Sequence, residues 1–179
     1  MNIFAVDDNP HIASSMLCDA HVPKMIVEGV QVLVQSLLNN GAPADRMPVT
    51  KTTGRPHKGG YPHHPVVKWA GETTGNWQWL WMHTHGLCTE FRKRYGRMHF
   101  GEGQLAHLAF FYGEGYIKTG ERTPFARALN QSKGMNLDLL DTEKYTDVEA
   151  YREFYRRDKR SFAKWQRGRV APDWWEVKA

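Results

Sequence analysis

Two cysteines in 179 residues, Cys18 and Cys88, are too few and too isolated for a disulfide framework or a Cys-x-x-Cys metal knuckle. That excludes the small stapled secreted domains, and free thiols suit a reducing cytoplasm. No apolar run approaches the roughly 18–20 residues that span a bilayer. The opening Met-Asn-Ile-Phe-Ala-Val-Asp-Asp has no basic segment ahead of an apolar one, so no signal peptide is expected. Internal repeats and low-complexity tracts are absent. Gly101-Glu-Gly103 and Gly113-Glu-Gly115 neither follow a strand pattern nor continue to Gly-Lys-Ser/Thr, so neither is a phosphate loop. Nine histidines include the pairs His63-His64 and His83-Thr-His85, yet no His-Glu-x-x-His and no carboxylate set at ligand spacing accompanies them. An HNH nuclease built on His63, His64, Asn76 and His85 would need a ββα hairpin where the pattern shows loop and helix. No metal and no other cofactor is expected.

What is present is a globular composition. Forty-one per cent apolar content with seven Trp, seven Tyr and eight Phe supports one domain over residues 1–179. Strand-like alternation is poor and helical periodicity recurs, which predicts an all-α fold. Asp8 or Asn9 can cap a first helix with Pro10 at its first position, running to about Cys18. Pro23 fits the first turn of a second helix that carries Met25, Ile26, Val30, Leu33 and Leu37 and ends near Asn40-Gly41. Residues 41–64, with four Pro, four Gly and four Lys/Arg, read as a long basic loop suited to touching DNA. Pro65–Ala70 reads as a short helix. From Asn76 a long stripe of Trp77, Leu80, Trp81, Thr84, Leu87, Cys88, Phe91 and Tyr95 faces a core. Residues 104–112 look like a buried helix, and Phe125–Asn130 a short one. Thr146-Asp-Val-Glu149 is a capping box. It opens a last helix with Val148, Tyr151, Tyr155, Phe162 and Trp165 inward and Arg152, Arg156, Arg157, Lys159, Arg160, Lys164 and Arg167 outward.

Charge is unevenly placed. Residues 1–150 carry 15 Lys/Arg against 15 Asp/Glu, while residues 151–179 carry 9 against 4 and so hold the whole excess of +5. A localised basic element is the footprint of a polyanion, with double-stranded DNA the leading partner. Arg156, Arg157, Arg160 and Lys164 are its candidate phosphate contacts. The tail Trp165…Trp174-Trp175 offers rings either for unpaired bases or for sealing the core.

The densest chemistry lies in Ser15-Met-Leu-Cys-Asp19-Ala-His21-Val-Pro-Lys24-Met-Ile-Val-Glu28. Lys24 and Glu28, four apart, share one helix face, as a surface ion pair or as an amine beside an acid–base carboxylate. The bend at Asp19–Val22 sits at a helix start, where free N–H groups and the dipole favour phosphate.

Ser15-x-Leu17-x-Asp19-x-His21-Val22, followed by Glu28 and Val32, resembles the opening helix of the phage pyrimidine-dimer DNA glycosylases of the endonuclease V type. There a Ser-x-Leu-x-Asp-x-His-Leu run precedes a Glu at the same distance and a Val four residues on. Over most of its length the chain also resembles small phage proteins with Cys-Asp-x-His-Val-x-Lys-Met, His-Pro-x-x-x-Trp and Arg-Tyr-Gly-x-x-His segments. The resemblance implies a compact helical domain, a DNA substrate in the cytoplasm of an infected cell, Glu28 as acid/base, and Asp19 and His21 as its motif neighbours. In that family a processed α-amine is the nucleophile, with Thr exposed. This chain starts Met1-Asn2, and Met before Asn is not expected to be trimmed, so Met1, Lys24 or altered chemistry remain open. The expected activity is glycosylase and lyase action on a flipped pyrimidine, with His64, Arg92 and Arg94 on phosphate. Transfer of an amino acid onto an activated hydroxymethyl pyrimidine in DNA is a second reading, using Glu28, Lys24 and Arg94. Non-catalytic DNA binding by the last helix is a third.

Overall fold

Asn9 opens the first helix in the computed structural model, which describes residues 1–176. Its Oδ1 accepts the N–H groups of His11 and Ile12, and Pro10 takes the first helical position. Six α-helices follow in order: α1 (Pro10–Met16), α2 (His21–Asn39), α3 (Pro65–Glu72), α4 (Thr74–Tyr95), α5 (Phe100–Leu108) and α6 (Asp147–Lys159). No strand occurs among the described residues. The starts are set by local chemistry. His64 Nδ1 accepts Val66 N–H at α3, Thr73 Oγ1 accepts Asn76 N–H at α4, and the Thr146–Glu149 capping box opens α6. Gly96, at φ 67°, ends α4 in the left-handed region that glycine adopts without strain.

The longest helix, α4, is the hub, packed against α1, α2, α3 and α5, while α2 also meets α3 and α5. Two glycines set the approach distances. A Cβ on Gly29 of α2 would overlap Thr84 Oγ1 of α4, and one on Gly86 of α4 would overlap Ser14 Oγ of α1. The expected stripe of α4 is largely core: Trp77, Leu80, Thr84, Leu87, Cys88 and Phe91 are buried, with Trp81 and Tyr95 half-buried. Among the described residues no helix is long and apolar enough to cross a membrane.

Three expectations fail. The helix expected over 104–112 starts earlier, at Phe100, and is a surface helix. Only Leu105, Leu108 and Phe111 of that stretch are buried, while Phe110 and Tyr112 are exposed. Residues 125–130 form no helix. Asp147 Oδ2 takes Phe125 N–H, and Tyr151 takes Ala128 N–H and donates to Ala126 O, so the segment is spread over the start of α6. The last helix stops at Lys159 instead of running through Trp165. Phe162 and Ala163 both donate to Lys159 O, and the chain then turns to the α1–α2 junction. There Lys164 O accepts Asp19 N–H, Asp19 Oδ2 accepts Gln166 N–H, and Trp165 Nε1 donates to Met16 O. Specific tertiary bonds outcompete another turn of helix.

Residues 41–64 contain one 3-10 turn (Ala44–Arg46) and an isolated bridge between Val49 and Pro56. The far end is tied to α2: Gly60 N–H donates to Gln35 Oε1 at 2.7 Å, and Gln31 donates to Gly59 O.

Candidate active site

Glu28 lies against the start of the chain, where its carboxylate takes the Asn2 N–H. Glu28 lies on the exposed side of α2, its side chain 18 % accessible, and Oε2 accepts Asn2 N–H at 2.9 Å. Successive backbone nitrogens are at most a few ångströms apart, so the Met1 α-amine lies within about 7 Å of that carboxylate. Asn2 pins the arrangement. Its Oδ1 accepts the N–H groups of Ile3 and Phe4 at 2.7 and 2.8 Å, and its side-chain nitrogen donates to Ala128 O at 2.7 Å. Phe4 is held at φ 43°, a left-handed conformation that costs a non-glycine residue about 1 kcal/mol. Beside this anchor is an open cavity of about 370 Å³ lined by Met1, Asn2, His64, Pro65, Asn130 and Phe154. That volume is in the range of small-ligand sites.

Cations gather round Glu28. Lys24 Nζ sits 3.7 Å from Oε1, a long pair with the lysine 63 % exposed, so Asn2 N–H is the closer partner. His21, Lys24 and Glu28 fall at i, i+3 and i+7 on one face of α2. Lys159, from the last turn of α6, lies over the rings of Phe154 (4.9 Å) and Phe4 (5.6 Å). Partial burial lowers the Lys159 pKa; neighbouring Lys24 also lowers it, while Asp158 and Glu28 pull the other way. His64 borders the same cavity. Burial lowers its pKa, the α-amine lowers it further, and Glu28 opposes both. The structure therefore brings Met1, Lys24, Glu28 and His64 together and adds Asn2 and Lys159, which sequence reasoning missed. The signal for Lys159 was present: it stands four residues beyond Tyr155 on the inward stripe of α6, not among the outward arginines.

His21 is a core residue next to this group. Its Nδ1 meets Tyr155 Oη at 2.6 Å, and its ring stacks on Phe4 at 4.7 Å. The hydroxyl also accepts Cys18 N–H, and its own proton is available to Nδ1 of the neutral imidazole. Burial, then Lys159 and Lys24, push the pKa of His21 down to about 3. A hydrogen bond from His21 to Glu28 is not made.

Asp19 and Arg94 form a separate structural knot, away from the Glu28 carboxylate. Arg94 has a fully buried side chain, and its five N–H groups are all used. Nε donates to Glu90, Nη1 to Leu17 O and Asp19, and Nη2 to Ser15 O and Glu90. None is left for a phosphate. Asp19 takes Arg94 on one oxygen and Gln166 N–H on the other, so it joins α4 to the tail and does not orient Glu28. Arg92 reaches Glu102 of α5 at 3.6 Å.

The basic stripe of the last helix is also different from its expected form. Arg156 is engaged by Glu153 and Trp174 O, and Arg157 by Glu153 and Asp138. Arg160 and Lys164 lie past the helix end, exposed and outside any ion pair among the described residues. The rings of Trp174 and Trp175 pack edge-on against Tyr155, and Trp174 Nε1 donates to Met16 Sδ. These tail rings therefore seal the core. Among the described residues no three His, Cys, Asp or Glu side chains converge as metal ligands.

Comparison of the chain with protein-family models, with curated proteins and with solved structures found no match.

Proposed function

We propose that the chain is a DNA glycosylase and lyase acting on a pyrimidine nucleotide turned out of the duplex, with Glu28 as the acid/base and the Met1 α-amine as the nucleophile. The observation that carries this reading is the hydrogen bond from Asn2 N–H to Glu28, which holds the chain's own amine beside that carboxylate at the edge of an open cavity. In the reaction, the unprotonated amine attacks C1′ of the deoxyribose and the bond to the base breaks, the base leaving with a proton. Loss of the nitrogen's proton and opening of the sugar ring give an imine. Glu28 then takes a proton from C2′, and the 3′ phosphate departs. Turning the base out costs a few kcal/mol. The cations of the 41–64 loop and of the turn after α6 would offset it through phosphate contacts. The phage-like motifs fit such an enzyme in the cytoplasm of an infected cell.

Lys24 and Lys159 beside a single carboxylate favour a second reading, the transfer of an amino acid onto an activated hydroxymethyl pyrimidine in DNA. The two lysines would meet the incoming carboxylate and the leaving pyrophosphate, with Glu28 as base, and the retained Met1 would need no chemical role. Non-catalytic binding by α6 draws less support, because Arg156 and Arg157 are paired within the protein. Borohydride reduction on UV-irradiated or abasic duplex DNA separates the readings. A covalent adduct formed by wild type and lost in Glu28→Gln, with DNA affinity kept within a few-fold, is the expected result. Turnover without a trapped adduct would exchange the first reading for the second.

A further inference from the structure

The turn that ends α6 presents a ring to solvent where a folded chain has reason to hide one. Phe162 is 42 % exposed, although the residues around it are firmly held. Its own N–H and that of Ala163 bond to Lys159 O, Lys164 O accepts Asp19 N–H, and Trp165 Nε1 bonds to Met16 O. The ring rests edge-on against His21 at 5.3 Å and 74°, His21 stacks on Phe4, and Phe4 lies under the Lys159 ammonium. Phe4, His21 and Phe162 thus form an aromatic ledge running from the Asn2 anchor to the surface. Covering His21 needs only one edge of Phe162.

The surroundings of the ledge are cationic. Lys24 stands one turn from His21 on α2, Lys159 lies over Phe4, and Arg160 and Lys164 flank the ring in sequence. His21 and Glu28 are separated by about 10 Å along the helix axis, close to three base steps at 3.4 Å. An exposed ring set among cations is the construction on which unpaired bases stack, because every base has a π face and its phosphate meets the positive charge. The Trp77–Trp81–Tyr112 groove on α4 also exposes aromatic surface, but it has no such set of cations.

The geometry points to Phe162 as the ring on which an unstacked base of the DNA rests, beside the site that holds Glu28. This rests on the DNA reading given above and adds the residue that captures the base. A rigidly anchored ring costs little entropy to use, and stacking on it is indifferent to which base arrives.

The test measures binding of a fluorescein-labelled single-stranded oligothymidylate and of a fully paired duplex by the full chain. Phe162→Ala and Phe162→Leu should weaken single-strand binding on the order of ten-fold. Paired-duplex binding, set by phosphate contacts, should stay as in wild type. Phe162→Trp should keep the single-strand affinity and add a component of tryptophan quenching that wild type lacks. Single-strand binding unchanged in both truncations, or lost equally on both DNAs, would overturn the assignment. So would wild-type protein that binds neither DNA. Phe162-dependent single-strand binding without borohydride trapping would leave the ring's role standing and remove the lyase. Trapping by wild type with unaltered binding by the truncations would do the reverse.

Discussion

Replacing Arg94 by Met tests whether this cation serves the fold or a phosphate. Met fills much of the same space without charge, so the change removes five hydrogen bonds while limiting the cavity. Left behind are the Leu17 and Ser15 carbonyls, the Asp19 carboxylate with only Gln166 N–H, and Glu90. Burial pushes the Glu90 pKa up, but Arg169 and Arg94 together hold it below the usual carboxylate value, so losing Arg94 leaves this buried charge to Arg169 and the longer, exposed Lys93 contact. Removing one partner of a buried ion pair costs about 3–5 kcal/mol. For a chain of this length that corresponds to a fall in Tm of roughly 6–20 °C. Urea titration of wild type, Arg94→Met, Asp19→Asn and the double variant gives the coupling directly. The two residues share a bond, so the double variant should lose less than the sum. A loss below about 1 kcal/mol, accompanied by weakened DNA binding in a well-folded protein, would refute the structural assignment of Arg94.

Acetylating the Met1 α-amine should abolish borohydride trapping while Lys24→Met retains it, and the opposite pattern would make Lys24 the nucleophile. Arg160→Gln with Lys164→Gln should flatten the log–log salt dependence of duplex affinity by up to about two units. Arg156→Gln with Arg157→Gln should change it far less, since both are already neutralised by Glu153 and Asp138, and equal effects would show that the intramolecular pairs do not persist. Buried His21 and His83 have pKa values lowered to about 3 from 6.5, so the unfolded chain binds more protons than the native one between those limits. Stability should therefore be full above about pH 6.5 and fall toward pH 3, by up to roughly 1.4 kcal/mol per pH unit per histidine. Thermal melts of His83→Leu across that range should show a shallower acid limb, and a limb as steep as wild type would exclude His83 as a contributor.

Features that depend on neighbours a turn apart were legible from the order of residues alone. Asn9-Pro10, Pro23, Thr146…Glu149 and the apolar spacing of α2 and α4 placed four helices, because caps and i, i+4 contacts are satisfied within a few residues of chain. The same locality put Lys24 and Glu28 on one face. The end of α6 depends on long-range packing, since the Lys164 carbonyl and Gln166 N–H are claimed by Asp19 from across the fold. The same packing decided which cations are free. Arg94 and Arg156 look like any other arginine in the sequence, and the carbonyls and carboxylates that consume their donors come from distant segments. The bond between Asn2 and Glu28 has the same origin. A terminus carries no periodic signal, and its position was fixed by Asn2 bonding to Ala128, a contact that exists only once the core has closed around it.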